Sequence, residues 1–370
     1  MLALPLISQG LGFPMLAGLL LLCWVFMALA ALITLETNLA ISPGATLFVM
    51  ARETLGKAGF RVCTLAMTFL FYSLLAAYIA GGGEQLISTL SAIFPLSLQK
   101  PVYGMVLFVL IFGAISAVGA RYVDSCNRVL FLLMMAVFLV ALTMLLPGVE
   151  VRTLQQAPTT PWHGLAVIPV IFTSFGYHGS IPSLIAYVGG EQKQQLRTVF
   201  LLGSFIPLVL YLLWLAATLG QSNGTTLLDN GSVTGMIEAL AAGTTDNRYQ
   251  PWFVPILSSF TNLALVTSFL GVGLGFFDFM HSATASKSRL QTAVIVFLPP
   301  LLVAWLIPDA FVAALGFAAF ALAILAILLP AAMAWRLKQQ GKLTRWPGGV
   351  GFWPTVAFGV VIALLSLTHA

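Results

Sequence analysis

The side chains best suited to bind a small solute stand together in residues 168–190, IPVIFTSFGYHGSIPSLIAYVGG. This stretch is apolar overall, but prolines and glycines interrupt it, and both residue types weaken a helix. Polar side chains surround the interruption: Thr173, Ser174, Tyr177, His178 and Ser180. Such groups can satisfy backbone N–H and C=O groups that a broken helix frees, and the remaining free groups can meet the polar ends of a substrate.

Two structures fit this pattern. One is a helix broken midway across a membrane, in which the carbonyls of the first half suit an ammonium group and the amides of the second half suit an anion. The other is a proline-kinked helix whose small residues simply pack against a neighbouring helix. Because glycine, histidine and serine cluster at one depth, the sequence favours the broken helix.

Two ionisable side chains are candidates for proton transfer. His178 is the only one of the four histidines that lies near the middle of an apolar stretch, and its ordinary pKa of about 6.5 suits the task. An internal hydrogen bond and a contact with substrate are its alternative roles. Glu84 follows LLAAYIAGGG, whose glycines leave room for another backbone to approach. An ordinary solvated position at a helix end is the alternative for Glu84.

Three further side chains are candidates for contact with a substrate. Tyr72 lies near the middle of a predicted span, 62–82, where an aromatic group could stack on it, although packing explains it equally well. Thr267 and Ser268 lie near the middle of the predicted span 252–280. The glycines of that span permit close helix contact, so a structural role is the alternative for both hydroxyls.

Helices or strands must hold these residues in place, and the composition of the chain limits which fold classes are possible. Hydrophobic residues make up 60% of the 370-residue chain and charged residues 7%, whereas soluble domains carry about 25% charged residues. A soluble exterior requires polar groups, but a lipid-facing exterior does not. The apolar runs are continuous rather than alternating, which excludes a transmembrane β-barrel. The sequence therefore predicts an all-α polytopic membrane protein without a separate soluble domain.

The charged residues fall in short clusters between apolar runs, and each run is long enough to cross a membrane, which takes about 20 residues. Ten full spans are predicted, at 14–35, 62–82, 102–119, 129–148, 164–188, 198–219, 252–280, 291–307, 309–335 and 351–369. Basic residues are retained on the inner side of short loops. If the first span runs inward, all of the 16 basic residues lie inside except Lys100, Arg152 and Arg248. Ala370 then lies on the outer, periplasmic side.

The first 13 residues, MLALPLISQGLGF, precede the first full span without a charge. As a helix they would cover about 20 Å, less than the roughly 30 Å of the hydrocarbon core. Gly10, Gly12 and Pro14 indicate a turn after them, and the lack of a basic segment argues against a signal peptide. We therefore expect an outer half-span, whose inner half lies upstream of Met1 in the natural protein.

Several function classes find no support in the sequence. It has no nucleophile elbow, phosphate loop or pair of histidines at metal spacing, and Cys23, Cys63 and Cys126 are scattered. No ring of charges or repeated filter suggests a channel. We expect neither enzymatic activity nor a metal nor a cofactor, and no binding of nucleic acid. An ion gradient is then the simplest source of energy for a transporter.

Four segments resemble the hydroxy and aromatic amino-acid permeases: AVIPVIFTSFGYHGSIPSLIAY (166–187), LVTSFLGVGLGFFDF (265–279), RLQTAVIVFLPPL (289–301) and AAYIAGGGEQL (76–86). The similarity covers nearly the whole chain. It implies a proton symporter of the bacterial inner membrane with the amino acid–polyamine–organocation fold. In that fold two inverted five-span repeats hold the substrate at their broken first and sixth spans.

On this resemblance, one transporter domain covers residues 1–370, with a first repeat at 1–148, a second at 164–335 and an extra span at 351–369. The interrupted stretch becomes span six. The implied pocket residues are Thr173, Ser174, Phe175, Gly176, Tyr177, His178, Gly179 and Ser180. Family members carry a glycine-rich stretch, roughly GTTIGAG, just before the position of Met1, so we expect half of the site to lie upstream of this sequence.

Together these observations predict a secondary transporter that imports an aromatic amino acid with a proton. The segments IFTSFGYHGSIPS and FLPPL favour L-tyrosine over tryptophan. The substrate would contact the interrupted stretch, Tyr72, Thr267 and Ser268. A tryptophan or broader aromatic permease, an inactive remnant of a permease and a membrane-embedded enzyme are the alternatives, and sodium bound by backbone carbonyls is the alternative to a proton.

Overall fold

A computed structural model describes residues 2–8, 10–93, 100–155, 163–221, 232–242, 250–284, 288–307, 310–343, 346 and 348–368. Regular structure in these ranges is helical, apart from one isolated bridge between Val149 and Gln221. The predicted all-α class is therefore confirmed. Several residues used in the topology prediction lie outside the described residues: Met1, Arg248, Lys287, Arg345 and Ala370.

The helices follow one another along the chain with short connections. Their bounds are α1 Ala3–Leu6, α2 Gly12–Ile41, α3 Leu47–Ile93, α4 Pro101–Val118, α5 Ala120–Leu145, α6 Val151–Leu154, α7 His163–Thr173, α8 Ile181–Val188, α9 Lys193–Leu219, α10 Val233–Ala242, α11 Gln250–Thr284, α12 Arg289–Leu306, α13 Ala310–Gln339 and α14 Phe352–Thr368.

Each of the ten predicted spans coincides with a helix or, at 164–188, with the pair α7 and α8. Within the described residues, nine of these are long and apolar enough to cross a membrane, whereas α14 has 17 residues. Most helices run past the predicted ends, because a helix can continue through charged residues once it has left the apolar layer. Helix α3 is the extreme case, and it is kinked at Gly56, whose φ of 69° glycine adopts without strain.

Two segments differ from the sequence prediction. In the described part of the expected half-span over residues 1–13, only α1 and the start of α2 at Gly12 are helical. Gly10 and Gly12 both have positive φ, so the chain turns there before a continuous half-span is complete. The polar stretch 220–251 contains α10, which was not predicted. Its buried face, Val233, Met236, Ile237 and Leu240, has ordinary helical spacing. The apolar periodicity was therefore present, but the surrounding polar residues obscured it.

The chain divides into two compact units, each made of separated segments. The first unit comprises Met1–Pro14, Phe71–Pro161 and Leu213–Leu315, and the second comprises Met15–Leu70, Trp162–Leu212 and Gly316–Ala370. Both units draw on both halves of the sequence. The predicted repeats at 1–148 and 164–335 therefore do not correspond to the compact units, and the inverted-repeat relation stays a prediction.

The first unit has an aromatic core, in which Phe108, Phe269, Phe276, Phe277 and Phe297 are all buried. Rings of α4, α11 and α12 contact one another there; for example, the centroids of Phe108 and Phe269 are 5.1 Å apart. Aromatic pairs at this distance add stability beyond their buried area. This core fixes the C-terminal half of α3 beside α4 and α11.

The second unit contains a widened turn in α13. Pro330 has no N–H to donate to the carbonyl of Ala326, and the backbone forms a π-helical turn over Ile324–Leu328 just before it. Helix α14 approaches this turn closely, since a Cβ on Gly359 would lie 2.7 Å from Ile327 Cγ2. The 3-10 turn His178–Ser180 also contacts it. The π-helical turn therefore forms part of the surroundings of the interrupted stretch.

Candidate functional site

The predicted helix break is present between α7 and α8. Helix α7 ends at Thr173, residues 174–177 are not helical, and a 3-10 turn at His178–Ser180 leads into α8. The hydroxyls of Thr173 and Ser174 both bond back to their own helix, to Pro169 O at 3.0 Å and Val170 O at 3.2 Å. Such back-bonds weaken the helical ladder and help to end α7 here.

Unpaired backbone groups from both half-helices remain at the break. In the described part of the chain, no hydrogen bond reaches the carbonyl of Gly176 or uses the N–H of His178 or Gly179. Both glycines are exposed. A carbonyl beyond the C-terminus of α7 can accept from an ammonium group, and amides before α8 can donate to a carboxylate. The break thus offers complementary partners for the two ends of an amino acid.

The two glycines of the break have different surroundings. A Cβ on Gly176 would lie 3.0 Å from Leu322 Cδ2 and 3.1 Å from Thr173 O, so a larger residue would be crowded there. A Cβ on Gly179 would meet nothing within 4 Å. Gly179 therefore borders open space, whereas Gly176 allows α13 to pack closely against the break.

His178 is buried at the break, with 7% of its surface exposed. Its ring lies against the backbone of Met27 and 4.9 Å from the ring of Tyr177, centroid to centroid. Neither ring nitrogen makes a well-formed hydrogen bond within the described residues. Which of the three roles His178 has, an internal hydrogen bond, a contact with substrate or transfer of a proton, stays a prediction.

Tyr177 places its hydroxyl near α9 and α2. The hydroxyl is buried beside the side chain of Ser204, without a well-formed hydrogen bond. Ser204 in turn accepts a hydrogen bond from the Trp24 indole at 3.1 Å. Neither Ser204 nor Trp24 was among the predicted site residues, because a single serine or tryptophan in an apolar span carries no recognisable spacing.

A second residue that the sequence did not reveal is Tyr211 on α9. Its hydroxyl donates to Ser174 O at 2.9 Å, and its ring lies 5.5 Å from that of Phe175, centroid to centroid. Tyr211 thereby satisfies one of the carbonyls at the end of α7. This contact leaves Gly176, further along the break, as the carbonyl available to a ligand.

The remaining predicted substrate contacts lie in the first unit. Tyr72 donates its hydroxyl to Ile295 O at 2.8 Å, and its ring contacts Phe276 edge-on at 4.7 Å. Thr267 bonds to Leu263 O on its own helix at 2.8 Å. The side chain of Ser268 lies beside the Tyr78 hydroxyl. Contact with substrate stays a prediction for all three residues.

Glu84 lies within α3 rather than at its end. One carboxylate oxygen accepts from the N–H of Thr234 at 3.3 Å, at the start of α10. The neighbouring Gln85 donates to the Thr234 hydroxyl at 2.7 Å and accepts from that of Thr261 at 3.2 Å. Glu84 therefore belongs to a polar network that joins α3, α10 and α11, and its role in proton coupling stays a prediction.

The structure brings the eight residues 173–180 together in the second unit and places Tyr72, Glu84, Thr267 and Ser268 in the first. In the described part of the chain, nine apolar elements of membrane-crossing length, one of them broken at polar residues, define a multi-pass membrane protein. The chain belongs to the tryptophan/tyrosine permease family, whose model matches residues 1–366.

Individual relatives are similar over nearly their whole length. The chain is 34% identical to tyrosine-specific transport system 1 of Haemophilus influenzae, covering 98% of this chain and 91% of that protein. It is 32% identical to the tryptophan-specific transport protein of Pseudomonas aeruginosa, with 99% and 90% covered. It is also 32% identical to glutamine transporter 2 of Aliivibrio fischeri, with 92% and 86% covered. Because these relatives are named for three amino acids, family membership alone does not fix the substrate.

Proposed function

We propose that this permease imports an aromatic amino acid, L-tyrosine, across the bacterial inner membrane by symport with a proton. The helix break carries the proposal. Within the described residues, the carbonyl of Gly176 and the amides of His178 and Gly179 have no hydrogen-bond partner, and they match the ammonium and carboxylate groups of an amino acid. Membership of the tryptophan/tyrosine permease family supports an aromatic substrate.

The substrate would lie with its backbone atoms in the open space beside Gly179. Its ammonium group would donate to the Gly176 carbonyl, and its carboxylate would accept from the N–H groups of His178 and Gly179. His178, which is buried at the break with its ring against the backbone of Met27, would contact the substrate or carry the proton. A tryptophan or broader aromatic permease is the second candidate, since a relative of nearly equal identity is tryptophan-specific.

Uptake of labelled tyrosine into cells without their own aromatic permeases tests the proposal. We expect uptake that a protonophore abolishes and that unlabelled tyrosine inhibits more strongly than tryptophan, phenylalanine or glutamine. His178→Ala and Ser180→Leu should reduce uptake at unchanged protein levels in the membrane. Stronger inhibition by tryptophan would identify the second candidate. No uptake of any of these amino acids, with the protein in the membrane, would contradict the proposal.

Replacement of Gly179 by alanine tests the position of the substrate. The new methyl group meets no protein atom within 4 Å, so folding should be unaffected while the methyl group occupies substrate space. We expect at least about a tenfold loss of uptake, because displacement of a bound polar group costs over 1.4 kcal/mol. Gly18→Ala on α2, where a Cβ also has open space, is the matched control and should transport normally. Equal uptake by both variants would show that the substrate does not bind beside Gly179.

Proton coupling is tested separately at Glu84. Glu84→Gln removes the negative charge but keeps an oxygen that can accept from Thr234 N–H, so the contact with α10 should survive. If Glu84 carries the proton, the variant should exchange tyrosine across the membrane but fail to concentrate it under a pH gradient. Accumulation equal to that of the unmodified chain would leave His178 as the candidate proton carrier.

A further inference from the structure

A cavity opens in the second unit, away from the helix break. Its volume is about 250 Å³. Helices α2 and α9 and the segment after α13 contribute its main lining residues: Glu36, Gln194, Arg197, Thr198, Leu201 and Trp346. On the predicted topology this is the inner side of the membrane, because it lies at the end of the chain segments that carry most of the basic residues.

Two opposite charges line this cavity. Arg197 on α9 donates one hydrogen bond to Glu36 on α2, and their side chains are 29% and 15% exposed. A guanidinium has five N–H donors and a carboxylate has about four acceptor positions. One hydrogen bond therefore leaves donors on Arg197 and acceptors on Glu36 for a ligand that carries an anion and a cation close together.

Apolar side chains also contribute to the lining. Trp346 is buried, and it is held by Phe352, whose ring centroid is 6.2 Å away, and by Gly349, where a Cβ would lie 2.9 Å from the indole. Leu201 adds an aliphatic surface. A flat aromatic ring or an aliphatic chain could pack against these groups beside the ion pair.

We propose that this cavity is a second binding site for a free α-amino acid with an aromatic side chain. Glu36 accepts from the ammonium group, Arg197 donates to the carboxylate, and the ring packs against Trp346. The site is separate from the transport site at the break. An ethanolamine phospholipid headgroup shares the paired charges, but it has no ring to match Trp346.

Occupancy of this cavity would affect the two helices that border the break. Glu36 is nine residues beyond Met27 on α2, about 13 Å along the helix, and Arg197 is seven residues before Ser204 on α9, about 10 Å. Met27 and Ser204 contact His178 and Tyr177. An amino acid that bridges Glu36 and Arg197 would hold α2 and α9 together. Accumulated product could in this way slow its own import.

A cysteine placed in the cavity reports binding without any need for transport. The full chain is purified in detergent as Thr198→Cys with Cys126→Ser, because Thr198 lines the cavity and Cys126 is exposed, whereas Cys23 and Cys63 are buried. We expect tyrosine, tryptophan or phenylalanine to slow the reaction of this cysteine with a maleimide. Ala58→Cys, at an exposed site on α3 outside the cavity lining, is the matched control and should react at an unchanged rate.

Further variants identify what causes the protection. Arg197→Gln and Trp346→Ala should each raise the half-protecting concentration about tenfold or more, which corresponds to the loss of one charged contact or one ring contact. Trp346→Phe should retain protection, and this distinguishes a binding role from misfolding.

Three results would overturn the proposal. The first is no protection by any of the three aromatic amino acids. The second is equal protection by phosphoethanolamine, which would identify a headgroup site. The third is loss of protection in His178→Ala, which would mean that the signal comes from the break. Because maleimide labelling does not depend on uptake, failure of the proposed transport function would leave this test interpretable.

Discussion

At the scale of single residues, Tyr72 shows how a proline determines the partner of a distant hydroxyl. Pro299 on α12 has no N–H, so the carbonyl of Ile295 four residues earlier loses its helical partner. The Tyr72 hydroxyl occupies this position and donates to Ile295 O at 2.8 Å. The structure therefore gives Tyr72 a stabilising contact that the sequence had not suggested.

A double-mutant cycle tests this contact. Tyr72→Phe should lower the free energy of unfolding in detergent by about 1 kcal/mol, since interhelical hydrogen bonds in membrane proteins contribute amounts of this order. In a Pro299→Ala background the new N–H at position 299 can donate to Ile295 O. Tyr72→Phe should then lower the free energy of unfolding by a measurably smaller amount. Tyr103→Phe, at an exposed position on α4, is the control. Equal costs in both backgrounds would show that Pro299 and Tyr72 are not coupled.

At the scale of helices, the glycines before Glu84 allow α4 to reach the backbone of α3. A Cβ on Gly104 would lie 2.1 Å from Gly83 O, and a Cβ on Gly83 would lie 2.6 Å from Met105 Cα. Of the three glycines before Glu84, Gly83 therefore leaves room for the backbone of α4, whereas Gly81 and Gly82 face the side chains of Phe311 and Phe108. Such an approach excludes any side chain at Gly104, because backbone atoms cannot move aside as a flexible side chain can.

Gly104→Ala should therefore separate α3 from α4. We expect a loss of more than about 3 kcal/mol in the free energy of unfolding, above the usual cost of overpacking, because the clash is with backbone. Gly271→Ala on α11 is the matched control, since a Cβ there meets nothing within 4 Å and alanine favours a helix. Unfolding in detergent measures both variants. A neutral Gly104→Ala would mean that the two helices are further apart than described.

At the scale of the whole molecule, the native cysteines provide a test of topology. Cys126 is exposed near Asp124 and Arg128, whereas Cys23 and Cys63 are buried. The distribution of basic residues places Cys126 inside and Lys100 outside.

A membrane-impermeant maleimide should therefore label Cys126 in inside-out vesicles but not in intact cells with a permeabilised outer membrane. With Cys126→Ser, a Lys100→Cys variant should show the opposite pattern, since Lys100 is exposed just before α4. Labelling of Cys126 from the outside would show that the topology is the reverse of the predicted one. The Glu36–Arg197 cavity would then lie on the outer face.

The sequence by itself determined the helical class, the presence of helix at each of the ten predicted spans and the break at 174–180. These features follow from local causes: an apolar layer demands continuous apolar runs, and proline, glycine and serine weaken a helix wherever they cluster. Glu84 and His178 were also selected as candidates from the sequence, because ionisable groups are rare within apolar runs, and their roles stay predictions. The sequence prediction was wrong about most helix ends and missed α10. In α10, polar neighbours obscured a short apolar face.

Only the tertiary structure decided which side chains and carbonyls contact one another across helices. Tyr211 at Ser174, Tyr72 at Ile295 and Arg197 at Glu36 are separated by 37, 223 and 161 residues, and no local pattern encodes these partners. Packing also decided that Gly179 borders open space while Gly176 is crowded by Leu322. The physical reason is the same in each case. A proline or a glycine at one position leaves a carbonyl without its helical partner or leaves space where a Cβ would be. Which group then bonds to that carbonyl or packs into that space depends on how helices distant in sequence pack together.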